Sequence, residues 1–490
     1  MVMIRNIPFR PAPNITLYRA LYSYLREAIL SGKLPSAMKL PSSRSLAEEL
    51  NLSRNTVLNA YRQLLTEGYL HSKQGSGTFV TQVLPDSLLV TARITVASTD
   101  GQKRKGPIQP ILSHRAKAQV TASQQTPGRK LCRPFYADTP ALDAFPYKLW
   151  SRLVIRQARQ MNARNFAYQD SAGYRPLCEA IAAHITITRQ VHCTADQVLI
   201  VSGAQAALDL AARMLVNDGE SVWMEDPGYL GARGAFLGSG AHIVPVPIDG
   251  KGLVVSVGVQ RAPKARLVYV TPSHQFPLGV TMPISRRLEL LDWAKCTNAY
   301  ILEDDYDSEF RFAERPLATI QSLDNADRVI YIGTFSKVLF PSIRIGYLIL
   351  PSPLIASFLK VRRLIDTHSP MLEQLVLTEF INEGHYVRHL RRMRTLYAER
   401  RSVLLDATHN LPLEIYSPEA GIHCVGWLPD EIDEAELMEK AVKYDLGLTP
   451  ISRFSLRPLR RRGLLLGYGG YSAQEIRNGA RRLGALLSSL

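Results

Sequence analysis

The sequence predicts an α/β protein in which a small winged helix-turn-helix unit precedes a much larger unit built on a mostly parallel sheet. The chain has 490 residues, which is more than a single hydrophobic core usually serves. Hydrophobic residues make up 46% of it, so both units can bury a core. Three short helical patterns and a hairpin indicate the first unit, and alternating strand-like and helix-like runs indicate the second.

Positive charge is concentrated at the start of the chain. Residues 1–80 hold 10 Lys and Arg against 4 Asp and Glu, and residues 81–130 hold 8 against 2. These two segments therefore carry 12 of the formal net charge of +16. A basic segment of this kind favours contact with a polyanion, although a solvated basic face would have the same composition.

Cysteine and hydropathy patterns argue against several classes of protein. The 5 cysteines are scattered and form no CxxC pair or Cys/His cluster, which argues against a disulfide framework and against a zinc site. The most apolar stretch, residues 347–359, is broken by two prolines and is too short to span a bilayer. We therefore expect a cytoplasmic protein without a structural metal and without a membrane segment.

Residues 14–81 follow the element order of a winged helix-turn-helix. Leucines recur on one helical face of residues 16–30, and a glycine and a proline end that pattern. A second helix begins at Ser42 or Ser43, and a third begins after Ser53, a residue type that caps helices well. Two short β-like runs around a Gly-Ser-Gly turn then predict a hairpin.

This arrangement predicts a partner, double-stranded operator DNA. The third helix would enter the major groove by its N-terminal end, and the glycine-rich turn would let the backbone approach the minor groove. Short donors and guanidinium groups at these positions suit phosphates and base edges. The residues expected to contact DNA are Arg44, Ser53, Arg54, Asn55, Thr56, Gly75, Ser76 and Gly77.

The same segment resembles the GntR-type DNA-binding domain. The resemblance rests on the motifs LPSSR, LA, SRNTV, EG and GSG, which occur here in that order. Many members of that family carry an arginine at the position of Leu58, so the operator sequence cannot be inferred from the resemblance.

Residues 82–130 are rich in Ser, Thr, Gln, Lys and Arg and show no apolar periodicity. This composition is typical of a flexible, charged linker, which can also contact DNA phosphates without specificity. We therefore expect a linker over residues 82–130 and a ligand-binding unit over residues 131–490.

Short apolar runs in the large unit are typical of buried strands. They are QVLIVSG, ARLVYVTP, AYILEDD, RVIYIGT and IRIGYLILP, and segments of helical composition separate them. This alternation predicts a largely parallel sheet covered by helices. Ligands of such sheets bind beyond the carboxyl ends of the strands, where the polar motifs of this chain lie.

Lys337 directly follows the run RVIYIGT, within Thr334-Phe335-Ser336-Lys337. A sheltered lysine at a strand end can form an imine with an aldehyde. Arg344 lies seven positions later, and a guanidinium there can hold a phosphate through paired hydrogen bonds. Gly203-Ala204-Gln205 begin a helix directly after QVLIVSG, and a helix N-terminus also favours an anion.

The run ILEDDYD ends an apolar strand with four acidic residues within five positions. Buried carboxylates are costly without partners. A pyridine cofactor needs a carboxylate at its ring nitrogen, and Asp304 is the residue that we assign to this role. Tyr306 would donate to the phenolic oxygen of such a cofactor. Metal binding by the acidic run is an alternative, although no histidine accompanies it closely.

These motifs resemble those of fold-type I pyridoxal-phosphate enzymes, the aspartate aminotransferase superfamily. The resemblance implies an aminotransferase-like domain with a smaller C-terminal α+β subdomain, a homodimer, and pyridoxal 5'-phosphate as cofactor. It further implies that Tyr229 of EDPGY stacks on the cofactor ring and that Tyr168 of YQDSAG reaches the phosphate of the other subunit. The residues expected to bind the cofactor are Lys337, Asp304, Tyr306, Arg344, Thr334, Ser336, Tyr229, Gly203, Ala204, Gln205, Tyr168 and His274.

Two positions depart from the aminotransferase pattern. The loop Phe276–Gly279 replaces the usual Asn-Pro-x-Gly, so the asparagine contact to the phenolic oxygen is absent or is supplied by His274 or Gln275. In the run LLLGY, leucine stands in or near the slot of the arginine that binds a substrate α-carboxylate. The candidates to replace that arginine in binding an effector are Arg453, Arg461 and Arg462, of which we assign Arg453.

With its GntR-like head, the whole chain resembles MocR/GabR-type transcription regulators, of which EDDYDSEF and TPSHQFPLG are typical. The resemblance implies a regulator that senses a small amino compound by imine exchange at Lys337, with at most residual transaminase activity. The alternatives are a functional aminotransferase with an appended DNA-binding head, and a DNA-binding or scaffold protein with an inactive core. Fold alone does not separate them. The effector (GABA, taurine or the cofactor itself) and the choice between activation and repression stay open.

Overall fold

The computed structural model describes residues 16–73, 75–82, 111–124, 133–137, 139–312, 318–418 and 420–490. Internal contacts divide the chain into an N-terminal unit, residues 1–109, and a large unit, residues 110–490. Within the described ranges, no helix is long and apolar enough to cross a membrane.

The N-terminal unit has the predicted three helices and hairpin. Its elements are α1 (Leu17–Leu30), α2 (Ser43–Leu50), α3 (Arg54–Thr66), β1 (Leu70–Lys73) and β2 (Gly77–Val80). Leu21 and Leu25 of α1 pack with Val57 and Leu64 of α3 in one buried cluster. The four-residue spacing of the leucines places them on the face of α1 that meets the other helices.

Side-chain caps set the starts of the second and third helices. Ser42 caps α2 by accepting a hydrogen bond from the Ser45 N–H at 3.1 Å, which decides between the two predicted serines. Ser53 caps α3 in the same way, from the Thr56 N–H at 3.1 Å. Asn51 makes the turn between these helices in the left-handed conformation, which asparagine tolerates better than most residues.

The centre of the large unit is an eight-stranded sheet. Its strands are β3 (Val198–Val201), β4 (Ser221–Asp226), β5 (His242–Asp249), β6 (Gly252–Leu253), β7 (Leu267–Val270), β8 (Tyr300–Asp305), β9 (Val329–Thr334) and β10 (Gly346–Ile349). The order across the sheet is β3-β10-β9-β8-β7-β4-β5-β6. The pairs from β9 through β5 are parallel, β10 is antiparallel to both of its neighbours, and β6 is antiparallel to β5. The sheet is therefore mostly parallel, as predicted.

Helices and a second sheet complete the large unit. The helices are α4 (His114–Gln124), α5 (Tyr147–Gln160), α6 (Ala163–Phe166), α7 (Arg175–Arg189), α8 (Ala204–Leu215), α9 (Leu230–Ser239), α10 (Val255–Arg261), α11 (Ile284–Thr297), α12 (Ile320–Leu323), α13 (Ile355–Ile365), α14 (Met371–Asn382), α15 (His385–Thr408), α16 (Glu434–Lys443) and α17 (Ala473–Leu487). The second sheet is antiparallel, with the order β11-β12-β14-β13. Its strands are β11 (Glu414–Tyr416), β12 (His423–Trp427), β13 (Thr449–Pro450) and β14 (Gly463–Gly467). It forms the smaller C-terminal subdomain.

Part of the segment predicted as a flexible linker is a helix, and for residues 114–124 that prediction is wrong. Helix α4 packs against α9, where the Gln119 Nε2 group donates to the Gly234 carbonyl at 3.0 Å. Arg115 also forms an ion pair with Asp218 at 2.9 Å. Apolar periodicity fails to reveal this helix because its hydrogen bond and ion pair come from polar side chains, and Ala122 is the single buried apolar residue in its described part. Residues 83–110 and 125–130 of the predicted linker lie outside the described residues.

The strand directions bring distant motifs to one edge of the central sheet. Strands β8 and β9 are parallel, so Asp304 and Thr334 end them at the same edge. Strand β10 is antiparallel to β9 and begins at that edge with Gly346, two residues after Arg344. Strand β3 is antiparallel to β10 and ends there, directly before the Gly203 turn. This edge is where a ligand is expected to bind.

Candidate functional site

An anion cradle forms where β3 turns into α8. Gly203 is the N-cap residue of α8 at φ 88°, and no side chain caps this helix. The Arg344 guanidinium donates from Nη2 to the Ser202 carbonyl at 2.7 Å and lies over Gly203, where an added Cβ would be 3.3 Å from it. An added Cβ on Gly346 would lie 2.9 Å from the Gly203 Cα. The two glycines therefore let an exposed guanidinium and a helix N-terminus share one site, which suits a phosphate.

Two further residues of the helix turn have different surroundings. Ala204 begins α8 and is half-buried. Gln205 is exposed, and its Nε2 group donates to the Gly231 carbonyl at 2.9 Å, which connects α8 to the start of α9. The side chain of Gln205 thus has a protein partner, and its expected contact with the cofactor stays a prediction.

Residues Thr334–Lys337 turn away from β9 at the same edge. The Thr334 Oγ1 atom accepts from the Ser336 N–H at 3.2 Å and holds this turn. The Ser336 Oγ atom is buried and has no hydrogen-bond partner among the described residues, so it has capacity for a ligand. Lys337 is half-buried. Burial raises the pKa of Asp304 and lowers that of His423, and the nearby Lys337 charge opposes the first of these shifts and adds to the second. The lysine therefore lies in the same charged cluster as Asp304.

Asp304 is buried at the end of β8 with one carboxylate oxygen satisfied and one available. Its Oδ2 atom accepts from the Tyr269 hydroxyl at 2.8 Å. Its Oδ1 atom is buried without a hydrogen-bond partner in the described structure. Burial raises the pKa of Asp304 to about 7. A protonated pyridine nitrogen would satisfy the available oxygen and would lower that pKa again, so the site fits the ring of pyridoxal phosphate.

The cofactor-free protein is expected to lose stability as the pH rises from 5 to 8, in part because of Asp304. The folded pKa of about 7 lies above the ordinary value of about 3.9, so folding favours the protonated carboxyl. That contribution is fully present below the ordinary pKa and is lost as the pH rises through about 7. The thermal unfolding temperature of the cofactor-free Asp304→Asn variant should decrease less steeply with pH over this range than that of the unmodified chain. Parallel curves for the two proteins would contradict the assignment.

The other carboxylates of the acidic run have structural partners. Glu303 accepts from two backbone N–H groups at the start of α12, at 2.8 and 2.9 Å, and lies 3.7 Å from the buried Arg287 guanidinium. Asp305 forms a buried ion pair with Arg189 at 2.8 Å. Asp307 contacts a buried histidine. The run therefore stabilises the sheet edge. Asp304 and Asp305 each keep one buried oxygen without a hydrogen-bond partner among the described residues, but Asp305 is already paired with Arg189, whereas Asp304 has no ion pair with a described arginine.

That histidine, His274, is the centre of a buried polar cluster. Its Nδ1 atom lies 2.9 Å from the Asp307 Oδ2 atom and 2.9 Å from the Tyr306 hydroxyl. The His423 ring from β12 lies 4.9 Å away, and the Nε2 atoms of both histidines are buried without a hydrogen-bond partner among the described residues. Burial lowers the pKa of His423 well below its ordinary value. His274 is thus positioned to orient the Tyr306 hydroxyl.

Gln275, the other candidate for the missing asparagine contact, has its side-chain amide directed elsewhere. Its Nε2 group donates to Glu225 at 3.2 Å and to the Pro227 carbonyl at 3.0 Å. Burial raises the pKa of Glu225 to about 7. These contacts tie the loop after β7 to the loop after β4 and favour His274 over Gln275 as a neighbour of the Tyr306 hydroxyl.

The two tyrosines assigned by resemblance have contrasting surroundings. Tyr229 precedes α9 and is half-buried, with its ring centroid 5.9 Å from that of Phe276 in an edge-to-face contact. Tyr168 is 89% exposed, and the nearby Phe166 is 77% exposed. Such exposure of large apolar rings fits coverage by a second subunit, and the contact with that subunit's phosphate stays a prediction.

Of the three leucines in the run LLLGY, where the resemblance places a carboxylate-binding arginine, Leu465 is the one that lines a cavity. Leu464 and Leu466 pack into the main core, whereas Leu465 faces a cavity of about 430 Å³, because side chains alternate along β14. Arg453 lines the same cavity from the turn after β13. The other two candidates point elsewhere: Arg461 pairs with Glu414, and Arg462 donates to the Ile432 carbonyl. Of the three arginines, only Arg453 can meet a ligand in this cavity.

The predicted DNA-contacting residues occupy the start of α3 and the hairpin turn. Arg54 and Asn55 are exposed in the first turn of α3, and Thr56 is half-buried, with its hydroxyl 2.8 Å from that of Ser53. Ser53 therefore also serves as a helix cap. Arg44, in the first turn of α2, forms an exposed ion pair with Glu48 at 3.3 Å.

A lysine from outside the hairpin, Lys39, lies against the hairpin turn, and it is absent from the DNA-contacting residues predicted from the sequence. Gly75 and Gly77 adopt positive φ values, and an added Cβ on Gly77 would lie 2.9 Å from the Lys39 Cε atom. Ser76 closes the turn by donating its N–H to the Lys73 carbonyl at 2.9 Å. Lys39 comes from the segment before α2, so no motif in the hairpin itself signals its presence there.

Two family models match the chain. The model "Bacterial regulatory proteins, gntR family" matches residues 17–80, and the model "Aminotransferase class I and II" matches residues 146–483. The solved structures with similar folds include the α-aminoadipate aminotransferase LysN of Thermus thermophilus, with a TM-score of 0.70 and 26% identity over 77% of this chain and 97% of that one. The large unit therefore has the fold-type I aminotransferase fold.

Relatives over nearly the whole chain carry the same two units. The probable rhizopine catabolism regulatory protein MocR of Rhizobium meliloti is 40% identical over 96% of this chain and 93% of its own. The HTH-type regulator TauR of Rhodobacter capsulatus is 32% identical over 84% of each chain, and the pyridoxine biosynthesis regulator PdxR of Corynebacterium glutamicum is 29% identical over 97% of each. The chain thus belongs to the MocR-type transcription regulators, in which a GntR-family DNA-binding domain is joined to an aminotransferase class I and II domain.

Proposed function

We propose that this regulator binds pyridoxal 5'-phosphate at Lys337 and changes its binding to operator DNA when a small amino compound reaches that site. The observation that carries the proposal is the buried Asp304 oxygen without a partner, in the same charged cluster as Lys337 and at the same sheet edge as the Arg344–Gly203 cradle. A ring nitrogen, an aldehyde and a phosphate on one ligand would match these three features.

Each residue has a distinct task in this proposal. The Arg344 guanidinium, the N-terminus of α8 and the Ser336 hydroxyl hold the phosphate, and Asp304 keeps the ring nitrogen protonated. When bound, the cofactor would supply an electrophilic carbon. Lys337 would hold that carbon through its amine, and an incoming amine could take its place and release the lysine amine, without oxidation or reduction. Tyr306, oriented by His274, donates to the phenolic oxygen. Tyr229 covers the ring from the side of α9.

The substrate side of the site supports sensing over turnover. The arginine that would fix an α-carboxylate is replaced by Leu465, and the nearby cation is Arg453, on a different segment. An amine can therefore displace Lys337 without the orientation that efficient proton transfer from its carbon requires. We also propose a homodimer, in which Tyr168 of each subunit completes the phosphate site of the other.

The test uses the full-length protein loaded with pyridoxal phosphate and DNA selected from a random pool. Titration with amino compounds should change DNA affinity together with the absorbance of the bound cofactor. Borohydride should fix the cofactor to Lys337, as peptide mass would reveal. Steady conversion of amino compounds to keto compounds would instead favour the aminotransferase alternative, and the absence of any cofactor band would favour an inactive core.

A further inference from the structure

The cavity that contains Arg453 has one wall made of α4, the helix that begins shortly after the N-terminal unit ends. Two polar residues and one apolar residue of α4 line this wall: Gln119, Ser123 and Ala122. Tyr229 and Gln205 line the cavity as well, so it adjoins the candidate cofactor site. A ligand that extends from Lys337 into this cavity would therefore meet α4.

The contact between α4 and α9 is close because α9 is rich in glycine. An added Cβ on Gly238 would lie 2.2 Å from the Gln119 Nε2 atom, and Gly234 accepts the hydrogen bond from that same atom. The buried Ala122 lies one helical turn further along α4. Gln119 therefore anchors the helix and borders the cavity at once, so a ligand in the cavity can act on this anchor.

The charge of the cavity limits the class of ligand. Arg453 is half-buried and forms no ion pair with a carboxylate of the described residues. Burial lowers its pKa, as expected for a cation that lacks a counter-ion. Leu465 and Phe454 supply apolar surface beside it. One cation on an apolar wall suits an amine that carries a single acidic group at its far end.

We propose that the conformational stability of α4 depends on whether a ligand occupies this cavity, an inference that rests on the proposed function. An amino compound with one distal acidic group would pair with Arg453 and contact Gln119 and Ser123, which fastens α4 to α9. Because α4 is the first described helix that follows the N-terminal unit in the chain, a ligand that changes its state acts at the start of the large unit, next in sequence to the segment that joins the two units.

Hydrogen exchange of the full-length protein loaded with pyridoxal phosphate tests this, with 4-aminobutanoate and n-butylamine as probes. Both amines should change the absorbance of the bound cofactor. Only 4-aminobutanoate should slow exchange of the α4 amides, by roughly fivefold to tenfold, the effect of about one added hydrogen bond. Equal protection of α4 by both amines, or by neither, would overturn the proposal.

Matched variants separate this proposal from the proposed function. Gln119→Ala and Ser123→Ala remove groups that line the cavity, while Thr121→Ala removes an exposed hydroxyl from the same helix. With 4-aminobutanoate, the first two variants should still change the absorbance of the bound cofactor. They should lose the slower hydrogen exchange of the α4 amides and the change in DNA affinity. Thr121→Ala should keep all three effects. Identical behaviour of the three variants would refute the role of α4. No absorbance change with either amine would instead contradict sensing at Lys337, and a change with n-butylamine alone would contradict the ligand class.

Discussion

Replacing Lys337 with alanine is expected to abolish every response of operator binding to amino compounds, while DNA binding without effector persists. In the proposed mechanism this side chain supplies the amine that an effector replaces, and no other lysine is placed beside Asp304 by the described contacts. The response should therefore be lost at every amine concentration, and not merely require a higher concentration of the amine. Electrophoretic mobility of operator DNA across an amine titration measures the response, and the cofactor absorbance reports the covalent bond.

Two controls accompany this variant. Lys337→Arg keeps the positive charge next to Asp304 and His423 and cannot form the bond, so it should show the same loss. Lys360→Ala removes an exposed lysine of α13 and should behave like the unmodified protein. A Lys337→Arg protein that still responds to amines would show that charge and not covalent exchange carries the signal.

Replacing Arg54 with alanine should weaken operator binding by about 1–3 kcal/mol, roughly tenfold to a hundredfold, without lowering the stability of the fold. Its guanidinium is exposed in the first turn of α3 and makes no described ion pair, so its removal leaves no buried group unsatisfied. Fluorescence anisotropy with labelled DNA at several salt concentrations measures the loss. If Arg54 contacts phosphate, the slope of log affinity against log salt should fall by about 1.

Arg62 provides the matched comparison. It is an exposed arginine on the same helix, about two turns further along, and its substitution by alanine removes the same charge from α3. Equal losses from the two variants would show that net charge, and not the N-terminal end of α3, controls binding.

Much of the candidate cofactor site could be predicted from local sequence because most of its parts follow a strand, and Arg344 shortly precedes one. The apolar runs identify β3, β7, β8, β9 and β10, and in a parallel sheet the residues after such runs share one edge. Strand β5 is harder to predict, because its sequence HIVPVPID contains two prolines, which lack the N–H of a ladder bond. It tolerates them near the edge of the sheet, where only the two-residue β6 lies beyond it.

Other features depend on contacts between segments far apart in sequence. His423 comes from the smaller subdomain and has no neighbouring motif that signals its place beside His274. The choice of Arg453 over Arg461 and Arg462 depends on which side of the turn after β13 faces the cavity, and composition does not reveal this. The sequence predicts a linker where α4 lies. The helix packs on a glycine-rich helix surface and not on an apolar core, so its sequence lacks the apolar periodicity that indicates a helix.

The insertion of β10 between β3 and β9 has a consequence for the order in which this protein matures. Arg344 and Ser202, which meet in the cradle, are 142 residues apart in the chain, so the cradle exists only after a long loop has closed. If the proposed cofactor binds at this cradle, a half-folded chain would have little affinity for it, and its binding would stabilise the native sheet by mass action. Under that proposal the concentration of the cofactor would set the fraction of chains that are folded, in addition to how the folded chains respond.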